Sequence, residues 1–194
     1  MAASGSHFNK VAICSGHMID APKRETPRFP IEKAEAVRAK IAQQLAQWEI
    51  GPRDLSICGG ACGADILFAE ECLRRGAQIR LLLAQKVEDF VRASVRHAGD
   101  NWVRRFDALR AQARVEILPE AAGTVPNDIS IYARTNLWII ETARVEAADP
   151  RRIYALLVWD EKPTGDGPGG TSDFQEKVCH LGASLEIINP TKLP

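Results

Sequence analysis

The chain has 194 residues, 45% of them hydrophobic and 26% charged, which suits one medium-sized apolar core and excludes intrinsic disorder. Twenty-five Lys and Arg balance twenty-five Asp and Glu, so no global field draws nucleic acid or anionic lipid, and any anionic ligand must be held by a local site. No apolar run approaches the roughly 18 to 20 residues that span a bilayer, and residues 1–9 lack the charged-then-apolar profile of a secretory signal, so a cytoplasmic protein is expected.

Within residues 1–9, taken as flexible, Ser4-Gly5-Ser6-His7 reads as a tag remnant, which leaves one domain over 10–190 and a short tail over 191–194. The first apolar run predicts a strand over 11–14, and the proline-bearing stretch over 16–30 has no helical period and predicts a loop. Ala36, Val37, Ile41, Leu45 and Trp48 recur at helical spacing and predict a helix over 32–48 with one face on a sheet. A strand over 55–58 then leads into a helix over 63–75, whose Leu67, Phe68, Cys72 and Leu73 share a face.

A strand is predicted over 79–83, followed by helices over 87–97 and 101–112 and a strand over 115–118. The segment 121–128, with Gly123 and Pro126, reads as a loop before a helix over 131–145. A strand over 153–159, a glycine-rich loop over 160–170, a helix over 171–181 and a strand over 185–188 complete the chain. Strands apolar on both faces and alternating with amphipathic helices predict the α/β class: a single Rossmann-like, doubly wound, mostly parallel sheet with helices on both faces.

Open parallel sheets bind ligands outside the carboxyl ends of their strands, where the strand order reverses. That rule selects 15–17, 59–65, 84–86 and 160–171. At 58–65 the chain runs Cys-Gly-Gly-Ala-Cys-Gly-Ala-Asp from an apolar strand into a helix, so Gly59, Gly60 and Gly63 permit a tight turn and let bare amides approach an anion. The competing interpretation is a purely structural turn, with Asp65 complementing the helix dipole. A second glycine turn, Gly165-Asp166-Gly167-Pro168-Gly169-Gly170-Thr171, again separates strand from helix, and Thr171 offers an N-cap oxygen and a hydroxyl donor.

Ser15, Gly16 and His17 end the first strand with a hydroxyl, an unhindered amide and an imidazole without an identifiable partner. Arg24 and Arg28 suit a phosphate clamp, although solvated surface arginines are the simpler reading of either one. Arg134 and Asn136, near the start of a helix, are candidates for the same anion site. Trp159 and Asp160 close the fifth strand, where the indole reads as core and the carboxylate could accept a ribose hydroxyl.

Five cysteines in regular segments argue for reduced thiols rather than a disulfide framework. Cys58 and Cys62 form no CxxC pair and no His pair lies near, so no metal is expected. No GxxxxGK[ST] loop or GxSxG elbow occurs, and no cofactor is expected.

Gly59-Gly60-Ala61-Cys62-Gly63-Ala64-Asp65 and the later Gly167-Pro168-Gly169-Gly170-Thr171 resemble, in that order, the two glycine signatures of the SLOG superfamily. This Rossmann-like group joins the lysine-decarboxylase-like cytokinin-activating phosphoribohydrolases and the DNA-processing protein A family. The resemblance implies a nucleotide or nucleotide-derived ligand with its phosphate at the later turn, and self-association into homo-oligomers. Phosphoribohydrolase members carry a catalytic Glu three places after the threonine of the later motif, where this chain has Phe174, with Asp173 and Glu176 beside it and out of register.

A sensor or binding module for a nucleotide-derived small molecule is therefore the expectation, with Ser15, Gly16, Gly59, Gly60, Gly63, Asp65, Arg134, Gly169, Gly170 and Thr171 as contacts. The alternative is an N-glycosidase acting on nucleoside monophosphates through Asp173 or Glu176 with help from His17. A third, single-stranded DNA binding, is disfavoured by the balanced charge and an aromatic content of 6%.

Overall fold

The computed structural model describes residues 8–118, 130–162 and 170–194. Its elements run β1 (Val11–Gly16), α1 (Ala34–Gln47), β2 (Leu55–Cys58), α2 (Ala64–Arg74), β3 (Gln78–Leu83), α3 (Val87–Ser94), α4 (Asp100–Arg110), β4 (Arg114–Ile117), α5 (Ile131–Ala147), β5 (Ile153–Val158), α6 (Thr171–Leu181) and β6 (Ser184–Ile188). The strands form one six-stranded sheet in the order β4-β3-β2-β1-β5-β6. Every neighbouring pair is parallel, where a mostly parallel sheet was expected.

The side-chain period of two divides each strand between two cores. Val11 and Ile13 join Leu55, Ile57, Leu82, Ala155 and Leu157 beneath residues of α5 and α6. Ala12 and Cys14 point the other way, joining Cys58, Leu81, Leu83, Leu156 and Val158 against residues of α1 to α4. Both faces are thus dry at the centre of the sheet, which is why these strands read as continuous apolar runs. The edge strands β4 and β6 are only partly buried.

Helices α1 to α4 connect the strands stepping from β1 out to β4, and α5 carries the chain back to β5 across the opposite face. The direction of winding therefore reverses between β1 and β5, and that pair opens the crevice in which such sheets bind ligands. Ile139 and Ile140 of α5 are buried in this second core, and Trp138 packs against it. Among the described residues no helix is long and apolar enough to cross a membrane.

Element ends differ from the sequence expectation where backbone pairing decides them. β1 continues two residues past Cys14 because Ser15 and Gly16 pair with Leu157 and Val158 of β5. Ahead of α1 a 3-10 turn, Ile31–Lys33, is closed by Lys33 N–H donating to the carbonyl of Pro30. α3 stops at Ser94 and a 3-10 turn, Arg96–Ala98, takes the place of its predicted last turn.

Candidate functional site

At the carboxyl ends of β1 and β5 the two backbones approach so closely that only glycine fits. A Cβ on Gly16 would lie 2.6 Å from the carbonyl oxygen of Val158. The next residue, His17, donates its backbone N–H to that same oxygen at 2.8 Å. The chain then passes over the amino end of α2, where Ala64 N–H donates to the His17 carbonyl and Ile19 N–H to that of Cys62. Gly63 lies under this crossing with φ +96°, and a Cβ there would come within 2.8 Å of His17 O and Ile19 N.

Three charged or titratable residues converge on this corner from distant parts of the chain. Arg28 donates Nε to Asp160 Oδ2 at 3.1 Å and Nη2 to Asp160 Oδ1 at 2.9 Å, the bidentate fork that fits a carboxylate. His17 Nε2 lies 3.0 Å from Asp160 Oδ1. All three side chains are buried. Burial alone would raise the Asp160 carboxyl, but Arg28, His17 and the Lys162 N–H outweigh it and hold the group well below the usual carboxylate range.

Arg28 is delivered by the loop after β1, which closes on itself through Asp20. Asp20 N–H donates to the Phe29 carbonyl, and Asp20 Oδ2 accepts from the N–H groups of Arg28 and Phe29, each at 2.9 Å. Phe29 anchors the loop in the core. The surface default for Arg28 thus gives way to a buried ion pair, whereas Arg24 stays exposed, with Nε donating to the Thr26 carbonyl.

His17, Arg24 and Arg28 border a cavity of about 600 Å³. It extends along the strand ends from Gly170 and Thr171 at the start of α6, past Ser15, Gly16, His17, Gly59, Ala61 and Asp65, to Ala84, Phe90 and Ser94 beyond β3. Tyr132, Thr135 and Asn136 of α5 form another wall, where the Ser15 hydroxyl donates to Asn136 Oδ1 at 3.4 Å. The described parts of the two glycine turns therefore open into one space.

The two turns are not equivalent. In the first, Asp65 folds back from the opening turn of α2, and its Oδ2 accepts from Ala61 N–H at 3.2 Å. Burial pushes this carboxyl up to about 7, although the facing amides of Ala61, Gly60 and Gly59 pull it down. A resident carboxylate group already sits where the first turn was expected to cradle a phosphate. In the second, Gly170 is the N-cap of α6, with no side-chain cap bond among the described residues, and Thr171 is the first helical residue rather than the N-cap.

Gly60 and Gly63 do not line the cavity: Gly60 is buried, turned at φ +82° over Phe106 and Leu83, and Gly63 serves the close crossing described above. Arg134 is half-buried and lies outside the lining, although its neighbours Thr135 and Asn136 belong to it. Gly169 lies outside the described residues. Asp173 pairs with Lys177 and Glu176 is exposed, and neither borders the cavity. Trp159 is buried in the core.

Cys14 lines the cavity, but burial first and then Asp65 raise its thiol well above the ordinary range, so it is no activated nucleophile. Among the described residues no three His, Cys, Asp or Glu side chains gather as a metal would require. Phe90, Ser94, Tyr132 and Thr135 escaped the sequence reading, although the strand-end rule pointed at the segment just before α3.

Fold and crevice together define a Rossmann-like α/β protein with a cavity of mixed polar and apolar lining at its topological switch point. No family model matches the chain, and no curated protein matches it. Among solved structures, DNA processing protein A (DprA) from Streptococcus pneumoniae is similar, with a TM-score of 0.50 and 15% identity over 93% of this chain and 50% of that one. The structural-genomics target TM1055 has a TM-score of 0.47 and 12% identity over 91% of this chain and 72% of that one. The chain spans half the length of DNA processing protein A, and the likeness shows the fold alone: the Rossmann-like architecture that the SLOG resemblance implies.

Proposed function

We propose that the chain binds a nucleotide or nucleotide-derived phosphorylated small molecule in this cavity, as a sensor or binding module, with the phosphate toward the start of α6. One observation carries the reading: Gly59 and Ala61 from one turn, and Gly170 and Thr171 from the other, border the same 600 Å³ space. Among the described residues no side chain caps the opening amides of α6, and a helix amino end favours an anion. Arg24 borders the cavity with an exposed guanidinium, whereas the charge of buried Arg28 is balanced by Asp160.

Mass spectrometry of small molecules released when the purified chain is denatured tests the ligand class. A phosphorylated species of nucleotide mass is expected. Release of unphosphorylated compounds only, together with no calorimetric response to nucleoside monophosphates, would reject the proposal.

Hydrolysis of an N-glycosidic bond is the second reading, favoured by one group. Asp65 is the carboxyl among the described lining residues, and its value of about 7 suits proton transfer near neutrality. Chromatographic detection of free base separates the two, since a sensor releases none. DNA processing protein A is by its name a DNA-processing protein; for this chain, balanced charge and 6% aromatics speak against single-stranded DNA as the ligand.

A further inference from the structure

Asp65 is 8% exposed and borders the cavity, yet no ion pair to it forms among the described residues. The amides of 59–61 face it, with Ala61 N–H on Oδ2. A carboxylate offers about four acceptor sites, so three amides leave it room for a further donor. Once ionised, Asp65 repels a phosphate there. A hydroxyl is the group that fits.

Farther along the strand ends lies a second polar group with no internal use. Ser94, in the last turn of α3, is 1% exposed and lines the cavity, and its Oγ has no hydrogen-bond partner among the described residues. Phe90 and Ala84 beside it are apolar and buried. Leaving a hydroxyl unpaired in a buried site is costly, and a ligand atom reaching it would remove that cost.

The polar stations follow the strand order: the start of α6 after β5, then β1, then Asp65 after β2, then Ser94 after β3. From β5 to β3 there are three strand spacings, a span of about 14 Å at the usual ~4.8 Å each. A nucleoside monophosphate has the same succession of groups: anion at one end, hydroxyl-bearing sugar in the middle, flat heterocycle at the other end.

Resting on the nucleotide reading above, we infer that Asp65 is the specificity-determining residue of the cavity: it receives the sugar hydroxyls of a ribonucleoside phosphate and so selects ribo over deoxyribo ligands. Ser94 meets an edge of the base, and Phe90 and Ala84 supply its apolar surround. Asp65 acts here as an acceptor, not as the anchor of the anion.

The test is calorimetry on the full chain with AMP, GMP, CMP and UMP, each paired with its 2′,3′-dideoxy counterpart. At least one ribonucleotide is expected to bind about tenfold or more tightly than its dideoxy form, the usual penalty when a charged acceptor loses its hydroxyl donor. In Asp65→Asn, which keeps an oxygen for Ala61 N–H, the ratio should fall to about threefold or less. Asp65→Ser serves as the second variant if the amide does not fold, judged by circular dichroism. Equal affinity of the parent protein for the two forms, or a preference that survives in the variants, overturns the inference and leaves nucleotide binding standing. Absence of binding by every nucleotide overturns both.

Discussion

His17, Arg28 and Asp160 are held together by one carboxylate, and each loses its purpose without the others. Asp160 is ionised at any physiological pH because the Arg28 fork and the His17 imidazole stabilise its charge. Asp160→Ala would leave the Arg28 guanidinium buried without its carboxylate, and urea unfolding should report a loss of about 3–5 kcal/mol. A loss under about 1 kcal/mol would show that the cluster contributes little to the fold.

Asp65 responds to pH with the opposite sign. Its carboxyl titrates at about 7 in the fold, against about 3.9 when unfolded, so between those values the folded chain holds the extra proton. This contribution to stability falls as pH rises through that window and is constant above it, by at most about 4 kcal/mol. Asp160, lowered in the fold, contributes stability above the unfolded carboxylate value and loses it as pH falls toward its folded one. Denaturant midpoints measured from pH 4 to 8 should thus decline more steeply for the parent than for Asp65→Asn; identical slopes would mean that Asp65 titrates normally.

Two glycines are required by the junction of elements, whatever the cavity beside Gly16 holds. Gly16→Ala would drive a methyl into the Val158 carbonyl, and Gly63→Ala adds a positive φ to backbone contacts at 2.8 Å. Each substitution should destabilise the fold by about 2 kcal/mol or more, since neither neighbour is a side chain that can rotate away. Ser130→Ala removes the N-cap acceptor for Ala133 N–H at the start of α5 and should cost about 1 kcal/mol. Thermal melts rank the three, and an alanine at Gly63 as stable as the parent would contradict the packing argument.

The elements themselves were legible because period and burial agree. Residues 171–181 and 55–58 read as helix and strand to the residue, since a glycine turn and an apolar run bound them. The end of β1 was not legible, because Ser15 and Gly16 pair as strand only through contact with β5. The last turn of the predicted third helix was lost for a related reason: Cys62 N–H takes the Ser94 carbonyl, so the ladder ends there.

At the scale of the whole molecule, the rule that parallel sheets bind at a reversal located the crevice before any side chain was considered. It brought Ser15, Gly16, Gly59, Asp65, Gly170 and Thr171 to one cavity. Pairwise chemistry across long separations was out of reach: nothing in the sequence ties Arg28 to Asp160 at a distance of 132 residues. The same limit hid the fact that Asp65 turns back onto its own glycine turn, because only the folded backbone reveals which amides a side chain satisfies.

In the proposed binding mode the backbone at the start of α6 receives the negative end of the ligand. Gly170 has φ −73°, which any residue adopts, so Gly170→Asp should fold as the parent does while setting a carboxylate against the anion. Isothermal titration of parent and variant with nucleoside monophosphates compares them directly. Binding by the variant should be weaker by tenfold or more, corresponding to about 1.4 kcal/mol; equal affinity in the two proteins would rule out an anion site at the start of α6.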